Sequence, residues 1–339
     1  MNRKVLLVTG STPPDVCGVG DYTRSLALAL QKAGVRAELF VHHRWNLGGT
    51  SEAIRRLLSA EQAIVHIQYP TEGYGYSLGP QLCALIRPSV VTLHEFSLAH
   101  PLRKLSLLPF TFRSPYLVMT SEFERRCLTE RMPWATRRIR VIPVGSTISP
   151  SNLSEESQER VAYFGLIMPR KGLEDFIEFS RLVRARGLDW DLVMIGRILS
   201  RHADYAKKLI DSSLPYRVRW ILDPGPEEIS EILSRTRLGY FPFPDGASER
   251  RSSLKAALTV GLPCITTRTE QTPRELSRVA VFAATPSDAF ESALRLMAAT
   301  EERQRLSQCA LEYSRCFSWE TIAQAHVKLY LELQEASGA

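Results

Sequence analysis

At 339 residues the chain is longer than one hydrophobic core usually organises, so two domains are expected, with a crevice between them. With 44% hydrophobic and 23% charged residues, the composition excludes a disordered, fibrous or membrane-spanning chain. The net charge of +7 is uneven: residues 1–150 hold 18 Lys+Arg against 10 Asp+Glu, net +8, and the rest hold 25 against 26, net −1. Such an excess suits an anionic partner for the first half, be it nucleic acid, acidic lipid or a phosphorylated substrate; a solvated arginine-rich surface is the plainer alternative.

The chain opens on MNRKVLLVTG, whose four apolar residues Val5 to Val8 are too few for a secretory or membrane segment and read as a buried strand. The next stretch, TGSTPPDVCGVGDYT, places Gly18 and Gly20 ahead of a helix over Tyr22 to Ala33, which turns Leu26, Leu30 and Ala33 inward and closes at Gly34. Glycine at such a point lets backbone approach a ligand. A dinucleotide fingerprint does not fit, because Thr23 stands where the third glycine belongs and the loop after Val8 is too long for that turn. Further strands are predicted at Ala37 to Val41, Ala63 to Ile67, Ser89 to Leu93, Tyr116 to Thr120 and Ile139 to Ile142. Two of these end in polar residues: His66, Gln68 and Tyr69 in IVHIQYP, and His94 in VVTLHEFS, expected beside them. A histidine at a strand end suits orienting a ligand or relaying a proton, and suits a purely structural role equally. HPLRKLSLLPFTFR, residues 100–113, mixes leucine and phenylalanine with Arg103, Lys104 and Arg113, as membrane-interface segments do; an ordinary packed loop is the alternative.

Residues 146–160, STISPSNLSEESQER, lose all apolar periodicity and read as a hinge. The alternation then restarts, with strands predicted at Val161 to Phe164, Asp191 to Ile195, Val218 to Ile221, Leu238 to Phe241, Cys264 to Thr266 and Ala280 to Phe282. Helices over Leu173 to Arg186, Glu227 to Arg235 and Ser253 to Val260 lie between them. In YFGLIMPRKGLEDF, a turn at Gly165 leads to Arg170 and Lys171 just before a helix, where a two-pronged donor and a mobile ammonium suit a phosphate. DGASERRSSLKAALTVGLP, residues 245–263, places Ser252 as N-cap and Ser253 as first helical residue, with Leu254, Ala257 and Leu258 facing inward. Helix N-termini hold anions through unpaired N–H groups, and Glu249 suits the hydroxyls of a polyol. Phosphate and polyol together specify a nucleotide sugar; a capped helix with a solvated arginine pair is the other reading.

The pattern throughout is that of an α/β chain made of two doubly wound Rossmann-like domains facing across a cleft, at 1–150 and 151–318, with ligands beyond the C-terminal strand ends. A closing helix is expected over 319–335. No Gly-x-Ser-x-Gly, His-Glu-x-x-His or P-loop sequence supports a hydrolase, zinc peptidase or nucleoside triphosphatase. No nucleic-acid motif accompanies the basic charge. Six scattered cysteines without a Cys-x-x-Cys pair predict a reducing, cytoplasmic setting with no structural zinc or disulfide.

Taken together, CGVGDYTRSLALALQKAG, VVTLHEF, YFGLIMPRKGLEDFI, DGASERRSSLKAALTVGLPCITT and FSWETIAQAHVKLYLEL resemble, in the same order, the segments of the GT-B glycosyltransferases known as family 4. The resemblance implies a retaining, hexosyltransferase-type transfer from a nucleoside-diphosphate sugar, with no metal ion. It also implies a closing helix that returns to the first domain. By position Lys171 would neutralise the leaving diphosphate near the Gly18 and Gly20 amides, His94 would hydrogen-bond the donor sugar, and Asp21 would face the acceptor. His94, Lys171 and Glu249 are then the catalytic candidates. Gly18, Gly20, Gly165, Arg170, Lys171, Glu249, Ser252 and Ser253 are the donor-binding ones, with Asp21, Gln68 and Tyr69 on the acceptor side. Leu166 stands where the family usually has arginine, so either Arg170 substitutes or the charge is missing. Ser248 and Ala256 occupy the positions of the family's paired glutamates. A UDP- or GDP-sugar donor, a glycan or lipid-linked acceptor, and weak docking to the anionic inner face of a membrane complete the expectation. A catalytically silent nucleotide-sugar binding protein or partner subunit is the alternative, and an epimerase of the same fold a third.

Overall fold

The structure, a computed structural model, describes residues 3–13, 15, 17–60, 62–146, 148 and 158–338. The chain divides into two compact units, Met1–Gly145 with Phe317–Ala339, and Ser146–Cys316. The divisions expected at 150 and 318 thus fall at 145 and 316. Of the expected hinge, 147 and 149–157 lie outside the described residues.

The first unit runs β1 (Val5–Thr9), α1 (Gly18–Lys32), β2 (Ala37–Val41), α2 (Leu47–Ser59), β3 (Ile64–Tyr69), α3 (Gly79–Ile86), β4 (Val90–Leu93), α4 (Pro101–Leu105), α5 (Leu108–Arg113), β5 (Leu117–Met119), α6 (Glu122–Arg131) and β6 (Ile139–Val141). Its strands form one six-stranded parallel sheet in the order β2-β1-β3-β4-β5-β6. Helices on both faces bury the strands, so β1, β3 and β4 are buried along their whole lengths instead of alternating, even at His66 and Gln68 of β3. The second unit runs β7 (Gln158–Phe164), α7 (Leu173–Ala185), β8 (Asp191–Gly196), α8 (Ala203–Ser213), β9 (Val218–Leu222), α9 (Pro226–Ser234), β10 (Thr236–Phe241), α10 (Ser252–Thr259), β11 (Cys264–Thr266), β12 (Ala280–Phe282), α11 (Pro286–Ala298) and α12 (Thr300–Ser314). Its parallel sheet has the order β12-β11-β10-β7-β8-β9, which reverses direction between β7 and β10. Ligands of doubly wound sheets bind outside the strand ends at such a reversal.

The last helix, α13 (Trp319–Gly338), belongs to the first unit. Ile322, Ala323, Leu329 and Tyr330 share a core cluster with Val5, Leu7, Leu26 and Leu30, so the helix covers one face of β1 and α1. The Trp319 ring packs 5.5 Å from Tyr22 of α1. Among the described residues no helix is long and apolar enough to cross a membrane, and all six cysteines are free.

Burial under α13 leaves the unit with neutral histidines. His66 shares hydrogen bonds with Tyr330 Oη at 2.6 Å and Thr92 Oγ1 at 2.7 Å, while His326 Nδ1 bonds Ile322 O at 2.8 Å. Desolvation holds His66 well below the ordinary imidazole range, aided by the neighbouring His326 and His94, and lowers His326 to about 4. The unfolded chain therefore binds more protons than the folded one between about pH 4 and 6.5, so stability is fully present above 6.5 and is lost as pH falls toward 4. His326→Leu removes one such group: between pH 7 and pH 5 the wild type should lose about 2 kcal/mol more than the variant in denaturant unfolding, and equal losses would refute this origin of acid lability.

Candidate functional site

The second unit holds a pocket of about 270 Å³ at its topological reversal, lined by Tyr163, Gly165, Leu166, Lys171, Gly196, Arg197, Asp223, Ile229, Arg251, Ser252 and Ser253 among others. The floor is made by two loops that only glycine allows to touch. Gly165 N–H donates to Ile195 O at 3.0 Å and Ile167 N–H to Arg197 O at 2.9 Å. A Cβ on Gly196 would run into the Gly165 carbonyl. Gly172 caps α7 in the left-handed conformation, φ 78°, with its Cα against the Pro242 carbonyl. This close approach is what brings Lys171 over the pocket.

Donors converge there. Lys171, half-buried, has its ammonium pKa lowered by burial and by the charge of Arg251. Arg251 is lowered as well, chiefly by burial. It is held by an ion pair to Asp245 and by stacking on Phe243, its Cζ 4.4 Å from the ring centroid. Its Nε is buried with no hydrogen-bond partner among the described residues. The first turn of α10 has no side-chain cap, and the Ser252 N–H turns back to Arg250 O at 3.1 Å. Lys255 N–H reaches Arg251 O at 3.0 Å, which leaves Ser253 and Leu254 as the uncapped amides. Two cations and a helix N-terminus facing one space make its potential positive, which suits an anion. The pocket's carboxylate, Asp223, is committed to Arg197 at 2.8 Å, and these two residues with Pro224 and Ile229 form its other wall.

Several expected residues lie elsewhere. Ser252 is the first helical residue of α10 and exposed; Arg251 takes the N-cap position, because the tight turn from Ser248 to Ser252 starts the helix one residue early. Glu249 does not line the pocket; its charge acts on Lys255, Tyr313 and Cys316, and it attracts the buried Lys255 ammonium, which desolvation lowers to about 8. Arg170 adopts φ 64°, is exposed and stays outside the pocket lining. Gly165, Lys171, Ser252 and Ser253 do line it. Arg251, Tyr163, Arg197 and Asp223 were not singled out individually from sequence; the signal available was that they end or follow β7, β8, β9 and β10.

In the first unit, Gly18 and Gly20 fall inside the first turn of α1 and not in the loop before it; Cys17 is the N-cap without a side-chain cap bond. Gly20 is needed because a Cβ there would lie 2.6 Å from Ser11 O. Asp21 is exposed in the same turn. The next residue, Tyr22, sets its ring 4.8 Å from that of His94, edge to face. His94, partly exposed at the end of β4, bonds Gln68 Oε1 through Nε2 at 3.0 Å, and burial, with His326, lowers its pKa to about 3, so it is neutral at physiological pH. His94, Gln68 and the first turn of α1 are thus assembled at one edge of the sheet. Tyr69 is not at that surface: its hydroxyl accepts from Gln81 Nε2 at 3.1 Å and its ring stacks on Tyr74 in the core, as expected for a residue buried on both sheet faces.

No family model matches the sequence, and no curated protein matches it at the sequence level. Solved structures match in fold. A glycosyltransferase from Rickettsia africae superposes with a TM-score of 0.76 at 13% identity, covering 98% of this chain and 99% of that one. Sucrose-phosphate synthase from Thermosynechococcus elongatus gives 0.72 at 16% identity over 98% and 100%. HepE of Anabaena in complex with UDP gives 0.71 at 16% over 97% and 100%, and HepE has also been solved with UDP-glucose. Each unit is Rossmann-like, and the chain has the fold of the GT-B glycosyltransferases.

The Gly172 contact yields a paired test. Gly187 has a similar φ of 75° but open space at its Cβ. Gly187→Ala should cost about 1 kcal/mol, the ordinary penalty of a left-handed non-glycine residue, and Gly172→Ala at least about 3 kcal/mol because backbone must also move. Chemical unfolding of both variants checks this; equal losses would remove the close approach as the support of Lys171.

Proposed function

We propose that this chain is a retaining, metal-independent glycosyltransferase that moves a sugar from a nucleoside-diphosphate sugar to a glycan or lipid-linked acceptor. The observation that carries the proposal is the pocket in which Lys171, Arg251 and the uncapped turn of α10 present donors with no free carboxylate opposite them. Such a site suits a diphosphate. As the glycosidic bond to the donor breaks, negative charge grows on the departing diphosphate, and preformed positive charge lowers that barrier without reorganisation. Lys171 and Arg251 supply the charge a metal ion would otherwise bring. The uridine nucleotides held by HepE put a UDP-sugar first among donors, with a GDP-sugar next. Neutral His94 would bond a hydroxyl of the transferred sugar, and Asp21 and Gln68 lie at the edge where an acceptor would be received. Retention of configuration rests on the sequence resemblance alone.

The position of Glu249 favours a second reading, a silent nucleotide-sugar binding protein, since the pocket's lining carboxylate is then Asp223, already paired with Arg197. Titration with UDP, GDP, ADP and CDP, followed by assay of nucleoside diphosphate release in the presence of EDTA, separates the two. The enzyme reading expects binding of one nucleotide and turnover with its sugar. Lys171→Ala should weaken nucleotide binding about 10- to 100-fold and slow turnover about 100- to 1,000-fold. Binding without release from any donor would leave the silent reading standing.

A cytoplasmic protein with a lipid-linked acceptor would work at the inner membrane face. Leu102 and Leu105 of α4 and Phe112 of α5 are 71%, 61% and 58% exposed, close in sequence to Arg103 and Arg113. Apolar side chains flanked by cations suit an anionic lipid surface. The protein should co-sediment with vesicles containing phosphatidylglycerol several-fold more than with phosphatidylcholine alone, and Leu102→Ser with Leu105→Ser should abolish the difference; no preference in the wild type rules out the docking.

A further inference from the structure

One residue of the donor pocket has chemistry that its place in the fold does not use. Tyr163 lies on β7, fully buried, with its ring 5.9 Å from Phe241 and 6.3 Å from Phe176. A phenylalanine would fill that aromatic cluster equally well. The hydroxyl has no hydrogen-bond partner among the described residues, although Tyr163 is one of the residues that line the pocket. Buried hydroxyls are nearly always paired, and leaving one orphaned destabilises the free protein. Gly165 stands directly beside it: a Cβ at that position would lie 2.8 Å from the Tyr163 oxygen, so any residue with a side chain there would press on the hydroxyl. Burial also raises the phenol above its ordinary pKa, so it remains a neutral donor. The Arg251 Nε is a second buried donor in the same condition and in the same pocket. Orphaned donors around one space, beside Lys171 and the α10 amides, await the same acceptor-rich group.

We propose that the Tyr163 hydroxyl is a ligand-binding group, a neutral hydrogen-bond donor to the diphosphate of the bound nucleotide, carried by the fold at a cost to its stability. The inference rests on the donor-nucleotide reading and adds to it a residue outside the charged loops. It makes the strand itself part of the site: the cations balance the charge of the diphosphate, and the phenol, fixed by aromatic packing, supplies direction. A hydroxyl held in a rigid core loses little freedom on binding, whereas a lysine side chain loses much.

The test is Tyr163→Phe, which keeps the ring and removes only the hydroxyl, with Tyr240→Phe as a control in the same core. Calorimetric titration of the whole chain with UDP, GDP, ADP and CDP first identifies the nucleotide bound by the wild type. Tyr163→Phe should then weaken that diphosphate about tenfold and leave the matching nucleoside within about twofold, while the ligand-free variant melts at the same or a higher temperature than the wild type. Tyr240→Phe should change neither affinity. Unchanged diphosphate affinity in Tyr163→Phe overturns the assignment. So does an equal loss for nucleoside and diphosphate, which would mark a packing effect, and so does a ligand-free variant that melts lower, which would mean that the hydroxyl is already paired. A wild type that binds none of the four diphosphates overturns the nucleotide reading itself, and this inference with it.

Discussion

Like-charged donors confined in a half-buried space are the constraint from which the rest of this molecule follows. Lys171 and Arg251 each lose hydration, and the charge of Arg251 further lowers the Lys171 ammonium. Interiors accept ions when partners compensate them, as Asp245 does for Arg251, whereas Lys171 makes no ion pair among the described residues. The surrounding structure has to hold the pair against its repulsion. It does so with an ion pair from Asp245 and an aromatic face from Phe243 on Arg251, and with a backbone contact at Gly172 behind Lys171.

The sheet explains why these groups meet at all. β7 and β10 are neighbours at the point where the strand order reverses, so the loop after β7 and the helix after β10 emerge side by side at the same edge. β8 and β9 add Arg197 and Asp223 from the adjoining loops. The first unit uses the same topological device for different chemistry. Its sheet edge gathers His94, Gln68 and the first turn of α1, and burial keeps the imidazole neutral. A neutral histidine at that edge can accept or donate a hydrogen bond without adding charge.

How much of this was legible follows from range. All twelve strands stand where apolar runs bounded by turn residues placed them, because burial on both faces writes itself into consecutive residues. Helix starts were read less well. α1 begins at Gly18, four residues ahead of the Tyr22 expected, since glycine costs a helix little in a first turn whose amides are unpaired in any case. Glu249 is expected at the ligand because a carboxylate accepts from hydroxyls, yet side-chain direction depends on which residue of a tight turn faces the buried Lys255, and that is a tertiary fact. Tyr163 was hidden for the opposite reason. On a strand it is one more aromatic core residue, and only the three-dimensional count of its partners separates a packing tyrosine from a donor.

The charge balance carries the same lesson further. The first half of the chain holds the whole excess of +8, yet the pocket that gathers Lys171 and Arg251 lies in the other half, which is slightly acidic. Net charge governs long-range attraction, whereas binding is decided within a few ångströms by groups that cannot be screened or turned away. For the same reason the location of a cation along the chain matters less than its location in space. Leu166 occupies the position after Gly165 where the resemblance calls for arginine, while Arg251 reaches the same pocket from the start of α10. Which cations meet there is set by the loops that the sheet brings together, β7 to α7 and β10 to α10, and not by their order in the sequence. A fold shared at a TM-score of 0.76 with only 13% identity fits that: burial fixes the strands, while the residues in the loops between them are free to differ.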